Sequence, residues 1–165
     1  MSGGIVNRLE VAVNVALLCA FLAVAALAVK RFWTPQQGIS EPTVGTKLSL
    51  QNADWGASDK SLVLVLSVGC HYCSESAEFY KRLLPVAQSA RMRILAVLPQ
   101  PLSESRAYLD NLGVSVPDVR QSSLQSVDVS GTPSLLLVDR SGRIEKAWVG
   151  KLGPEQEKQV LARLQ

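Results

Sequence analysis

Two cysteines three positions apart, Cys70 and Cys73, lie in the stretch "LSVGCHYCSES", directly after an apolar run and directly before a helical pattern. Thiols at that spacing can exchange disulfides, ligate a metal or close a structural disulfide. Counting separates these. A tetrahedral zinc site takes four ligands, yet the chain holds one histidine, His71, and no second cysteine pair. His71, fixed between the cysteines in sequence, cannot easily turn towards a metal that both would share. A structural role is weaker, because so short a loop removes little entropy from the unfolded chain. Exchange fits better. A strand-to-helix junction would place Cys70 at a helix N-terminus, where partial positive charge and free N–H groups stabilise a thiolate. Cys73, one turn later, could then resolve a mixed disulfide by attacking Cys70. Copper held by the two thiolates stays open as an alternative. No other metal site is expected, and no cofactor beyond the redox-active Cys70–Cys73 disulfide itself.

Four neighbours are candidate modulators of the pair. His71, when charged, would favour the thiolate. Tyr72 would shape the surface around it. Glu75 and Glu78 lie one and two turns along the same predicted helix, as candidate proton-handling groups or simply as a solvated helix face.

The elements that must position these residues are legible as apolar runs. "SLVLVLSV" (Ser61 to Val68) has the continuous β-branched and leucine character of a strand buried on both faces. A helix is expected from Cys70 to about Ala90, with Ala77, Tyr80, Leu83 and Leu84 on one side and Pro85 kinking or ending it. "RILAVL" (Arg93 to Leu98) is a second buried strand. A short helix follows, with Ser103 as N-cap and Gly113 as C-cap. "SLLLVD" (Ser134 to Asp139) and "RIEKAWV" (Arg143 to Val149) form an antiparallel hairpin about Arg140-Ser141-Gly142. Pro154 then opens a last helix, with acid in its first turn. "KLSL" (Lys47 to Leu50) reads as a short edge strand. The order β-α-β-α-β-β-α predicts an α/β protein, a mixed sheet with helices on both faces.

At 165 residues there is room for one ordinary domain and an extra segment. The net charge of +3 is concentrated at the start, and from Thr34 onward basic and acidic residues nearly balance. No basic stripe with interleaved aromatics appears, so nucleic acid is not an expected partner. The extra segment is the N-terminus. Val11 to Val29 is nineteen residues without a charge, closed by Lys30 and Arg31 and then Phe32 and Trp33. A helix of that length rises about 28 Å, close to the thickness of bilayer hydrocarbon. Ala26-Leu27-Ala28 would suit a signal-peptide cleavage site, but the run is longer than such peptides carry, so an uncleaved anchor is expected. Cys19 is then a small apolar residue of a membrane helix. The expected organisation is a tail (1–10), an anchor or uncleaved signal (11–29), a linker (30–43) and a folded domain (44–165).

One distant signal completes the picture. In "VSGTPSLLLVD", Thr132-Pro133 stands immediately before the third strand, some sixty residues after the cysteine pair. A bare Thr-Pro is an ordinary turn. With "GCHYC", "GTPSLLLVDRSGRI" and the "VGKLGPEQ" entry to the last helix, however, the chain resembles the thioredoxin superfamily. More narrowly it resembles the TlpA/ResA-like, membrane-anchored thiol–disulfide oxidoreductases of the redoxin type. The resemblance covers roughly Val44 to Leu164 and implies a thioredoxin-like mixed central sheet with flanking helices, preceded by one transmembrane helix. It implies that Pro133 is cis, with the backbone of Thr132 beside Cys70 to pair with a partner's backbone. It further implies protein thiols and disulfides as substrates, a membrane or soluble redox partner, and a periplasmic or otherwise extracytoplasmic domain. That last implication opposes the mild charge bias of Lys30 and Arg31, which favours a cytoplasmic domain. The chain departs from the pattern at four places: Gly69 replaces a frequent Trp, Leu64 a buried Asp, Glu78 a frequent Pro, and the dipeptide between the cysteines is His-Tyr. Two readings of another class remain, a copper-binding chaperone and a redox-inert anchored interaction domain.

Overall fold

The three apolar runs become the three central strands, because each is apolar on both sides and can be satisfied only inside a sheet covered on both faces. In the computed structural model, residues 13–24, 42–51 and 53–164 are described. The chain divides into two compact units, Met1–Gly38 and Ile39–Gln165. In the first, residues 13–24 are helical, with Leu17, Leu18, Phe21 and Leu22 exposed. Among the described residues no helix is long and apolar enough to cross a membrane. The expected tail, both ends of the expected anchor and the linker up to residue 41 lie outside the described residues.

The second unit is built on a five-stranded sheet in the order β3-β2-β1-β4-β5. Its strands are β1 (Lys60–Val65), β2 (Arg93–Leu98), β3 (Asp118–Gln121), β4 (Ser134–Asp139) and β5 (Ile144–Val149). β1, β2 and β3 run parallel, and β4 pairs antiparallel with both β1 and β5. Four helices accompany it: α1 (His71–Glu75), α2 (Ala77–Ser89), α3 (Leu102–Asn111) and α4 (Pro154–Leu164).

Alternate residues of the central strands feed two separate cores. Leu62, Leu64, Ile94, Ala96, Leu135 and Leu137 meet α2, α3 and α4 through Leu83, Leu84, Leu109, Val160 and Leu164. Val63, Val65, Leu95, Val97, Leu136 and Val138 meet Leu48, Leu50, Trp55, Val127 and Val129 instead. The expectation of helices on both faces is therefore corrected: the three long helices cover one face. Two right-handed crossovers that step in the same direction, β1 to β2 and β2 to β3, must place their helices on the same side. The other face is closed by coil and two 3-10 turns, Trp55–Ala57 and Leu124–Val127. Gly142 permits this closure. It adopts φ +81, and a Cβ there would lie 2.6 Å from the Trp55 ring.

Other corrections are local. "KLSL" is not a strand but crosses the second face, with one bridge, Lys47 to Arg143, and the Leu48 N–H donated to Gly142 O at 2.8 Å. The first strand ends at Val65, so that the chain can turn into the cysteine pair. Pro101, not Ser103, occupies the N-cap position of α3. The helix stops at Asn111, with Gly113 at φ +67 just beyond it. Strand β3 went unread in the sequence, since four residues with two charges give no apolar run. It pairs with β2 through the backbone, and its charges reinforce that pairing. Asp118 accepts from Arg93 of β2 at 2.7 Å and from Arg120 at 3.0 Å, while the Arg120 guanidinium also donates to Gln51 O at 2.8 Å.

Partial burial works against the Asp118 carboxylate, but the two guanidinium groups outweigh it and hold its pKa below the usual carboxylate range. The sign follows. A lowered folded-state pKa stabilises the fold above the ordinary carboxylate value, and that stabilisation is lost as pH falls through the folded-state value. Asp118→Asn should cost about 1 kcal/mol at neutral pH. Urea unfolding of the two proteins should show that difference shrinking as the medium is acidified.

Candidate active site

The cysteines stand where the sheet hands the chain to the helices. The backbone leaves β1, turns with the Cys70 N–H donated to Ser67 O at 3.1 Å, and enters α1. Gly69 supplies the positive φ, +77, that this turn requires at its third position. Cys70 and Cys73 form a disulfide, with their Cα atoms 5.2 Å apart. Cys70 is the N-cap residue of α1, and its Sγ accepts the Cys73 N–H at 3.2 Å. Cys73 is fully buried and Cys70 only partly, so a partner can reach one sulfur and not the other.

The expected single helix from Cys70 to Ala90 is two helices, broken at Ser76 rather than at Pro85. Ser76 keeps the helical bond from its N–H to Tyr72 O (3.1 Å) and adds its hydroxyl to the same carbonyl (2.8 Å), a back-bond of the kind that bends a helix. Pro85 sits inside α2, where the buried stripe of Phe79, Tyr80, Leu83, Leu84 and Ala87 carries the helix past it. Because α1 has only five residues, the donor at the Cys70 sulfur is the local Cys73 amide rather than the dipole of a long helix.

The Thr132–Pro133 peptide is cis. It brings Thr132 O to 3.5 Å from Cys70 Sγ, across 62 residues of sequence. Two bonds hold this loop: the Gly150 N–H donates to Pro133 O at 2.7 Å, and the Ser134 hydroxyl to Gly131 O at 2.8 Å. The loop is thus pinned by the end of β5 and the start of β4, while Thr132 stays partly open beside the disulfide.

The remaining sequence candidates divide. His71 and Tyr72 are exposed beside the pair, their rings 5.5 Å apart. Glu75 joins the site. Its carboxylate lies 3.3 Å from His71 Nε2 and accepts from Lys151 Nζ at 2.9 Å. Glu78 does not. It pairs with Lys81 at 2.8 Å on an exposed face. The hydrogen bond from Lys151 holds the Glu75 pKa below the usual carboxylate value. Lys151→Met should let the Glu75 pKa rise towards the ordinary value, which a carboxyl-carbon NMR titration would read directly. Lys151 was not legible in advance, since nothing in its spacing ties it to the cysteines. Tyr108, whose hydroxyl lies 3.2 Å from Ser74 Oγ, links α3 to α1 and was missed for the same reason. Among the described residues no group of three or more His, Cys, Asp or Glu side chains is arranged to hold a metal ion.

Comparison with solved structures decides the architecture. The thioredoxin domain of a Bacteroides vulgatus thiol-disulfide oxidoreductase superposes with a TM-score of 0.55 at 16% identity, over 78% of this chain and 100% of that one. A thiol:disulfide interchange protein DsbE from Chlorobium tepidum does so at 0.54 and 17%, over the same shares. The fold is thioredoxin-like. StoA from Bacillus subtilis matches this thioredoxin-like domain at 0.51 and 16%, over 72% of this chain and 96% of its own. In sequence, the thiol-disulfide oxidoreductase ResA of Geobacillus thermodenitrificans is 26% identical over 96 residues, 56% of this chain and 55% of that protein. The chain thus spans about half the length of the curated relative it matches. No family model matches.

Proposed function

We propose that this protein is a membrane-anchored thiol–disulfide oxidoreductase that exchanges disulfides with protein partners through Cys70 and Cys73, from the extracytoplasmic side of the membrane. The strongest support is the junction of a half-open Cys70 sulfur, a buried Cys73 and the cis-Pro133 loop at a single point. A redox-inert interaction domain has no need of that asymmetry, and no feature of the site favours copper over exchange.

The chemistry needs only these residues. In the reduced protein the Cys70 thiolate, held by the Cys73 N–H, attacks a sulfur of the partner's disulfide. A Cys70–partner bond forms, and the partner's other sulfur leaves as thiolate. Cys73 then loses its proton and attacks Cys70 Sγ, closing the Cys70–Cys73 bond and releasing the second partner thiol. Two electrons have passed to the partner, and the pair is oxidised. The reverse sequence starts with a partner thiolate attacking Cys70 Sγ and transfers two electrons the other way. Thr132, beside the sulfur, would present its backbone to the partner's chain as a short added strand. His71 and Tyr72 would contact the partner first, being exposed next to the reacting atom.

The anchor belongs to the same proposal. It rests on the uncharged run from Val11 to Val29, closed by Lys30 and Arg31. A compartment reporter fused after Gln165 should be active only outside the cytoplasm, and activity inside would overturn the topology. For the chemistry, the full-length chain should accelerate reduction of insulin by dithiothreitol. A rate equal to that of the reagent alone would count against the function.

A further inference from the structure

Gln100 belongs to no motif, lies 30 positions after Cys70 in sequence, and grips the turn that presents it. The turn is Ser67–Cys70, closed by the Cys70 N–H to Ser67 O bond at 3.1 Å, with Gly69 at φ +77 in its third position. A turn of this type leaves the N–H of its second residue, Val68, without a partner in the turn itself. Gln100 supplies one. Its Oε1 accepts the Val68 N–H at 3.2 Å, and its Nε2 donates to Ser67 Oγ at 3.0 Å. The grip is itself held firmly. Gln100 stands between Pro99 and Pro101, which restrict the backbone on both sides. Its own carbonyl accepts from the hydroxyl of Ser105, a fully buried residue of α3.

We propose that Gln100 is a positioning residue for the exchange reaction, clamping the Ser67–Cys70 turn so that the Cys70 sulfur stays aligned on the Cys73 amide. The clamp carries the geometry of α3 and the end of β2 to the N-cap of α1. The Cys73 N–H donates to Cys70 Sγ at 3.2 Å, and a hydrogen bond to sulfur favours the thiolate only while donor and acceptor stay aligned. A turn free to rock would loosen that alignment. The thiolate would become less stable and less abundant below its pKa. The proposal rests on the exchange function above, and its effect is read at Cys70 alone, so the two can fail separately.

The test uses the reduced full-length chain and its rate of alkylation by iodoacetamide as a function of pH. In Gln100→Met, which keeps the length but neither hydrogen bond, the profile of Cys70 alkylation should move to higher pH. The rate on the acidic limb should fall about fivefold, the scale of one lost hydrogen bond. Ser67→Ala, which removes the Gln100 Nε2 to Ser67 Oγ half of the grip, should move the profile the same way by less. It stands as the deciding variant if Gln100→Met fails to fold. Coincident profiles for wild type and Gln100→Met would overturn the assignment. If the variants shift the Cys70 alkylation profile as expected while the wild-type chain turns over no disulfides, the clamp stands and the exchange function falls.

Discussion

Cys73→Ser is expected to accumulate as a mixed disulfide with its protein partner, while Cys70→Ser is expected to fall to the uncatalysed background of exchange. The asymmetry comes from burial. Cys70 Sγ is partly exposed beside Thr132 O, whereas Cys73 is fully buried and reaches only Cys70. With Ser at position 73 the first attack still proceeds, but the group that would break the Cys70–partner bond is gone. With Ser at position 70 the remaining thiol has no path to a partner. Acid quenching, alkylation and a non-reducing gel would show a higher-mass band for Cys73→Ser and none for Cys70→Ser. Turnover by Cys73→Ser at the wild-type rate would mean that the two sulfurs do not act in sequence.

The second large effect is on stability. Leu64→Asp is expected to destabilise the domain by about 3–5 kcal/mol at neutral pH, the range for an uncompensated buried charge. Leu64 is fully buried in the central strand, opposite Ala96 of β2 and Leu135 of β4. It belongs to the core that also holds Cys73, Leu83 and Tyr80. The buried residues of that core carry no cationic side chain to neutralise a carboxylate, and burial raises the Tyr80 pKa so that its phenol stays a neutral O–H. Desolvation raises the new carboxyl's pKa above its unfolded value of about 4. The folded state then retains a proton that the unfolded state releases, so stability falls as pH rises past that unfolded value. Urea midpoints should therefore separate from wild type more widely at neutral pH than near pH 4. A variant whose deficit is constant or grows on acidification would refute the account of this core. The position is also where the resemblance to thioredoxin leads one to expect an acid. Its replacement by leucine leaves Cys73 without a carboxylate proton acceptor from that strand.

What the sequence could convey follows from what each element needs. β1, β2 and β4 are buried on both faces and announce themselves as unbroken apolar runs, and the β4–β5 hairpin is marked by its Arg-Ser-Gly turn. α4 opens on Pro154 as expected. The cysteine pair was legible as chemistry because few other roles suit three-residue spacing, and the Thr-Pro pair only through resemblance. β3 was invisible because it is four residues long and buries only Val119; backbone pairing with β2 and the Asp118–Arg93 ion pair hold it, and neither leaves an apolar run. The break at Ser76 depends on a hydroxyl turning back to Tyr72 O, which no periodicity encodes, while the more conspicuous Pro85 is tolerated. The one-sided placement of the helices follows from strand order, which local patterns do not give. Lys151 and Gln100 reach the site from 78 and 27 positions beyond Cys73, and only the folded chain brings them there.

The most direct measurement is a redox titration of the full-length chain in buffers of graded thiol–disulfide poise, read by alkylation. The account predicts a single two-electron transition in which Cys70 and Cys73 titrate together, with its midpoint setting the direction of electron flow. The transition should vanish in Cys70→Ser. Two thiols that stay reduced across every poise, or a transition that survives in Cys70→Ser, would contradict it.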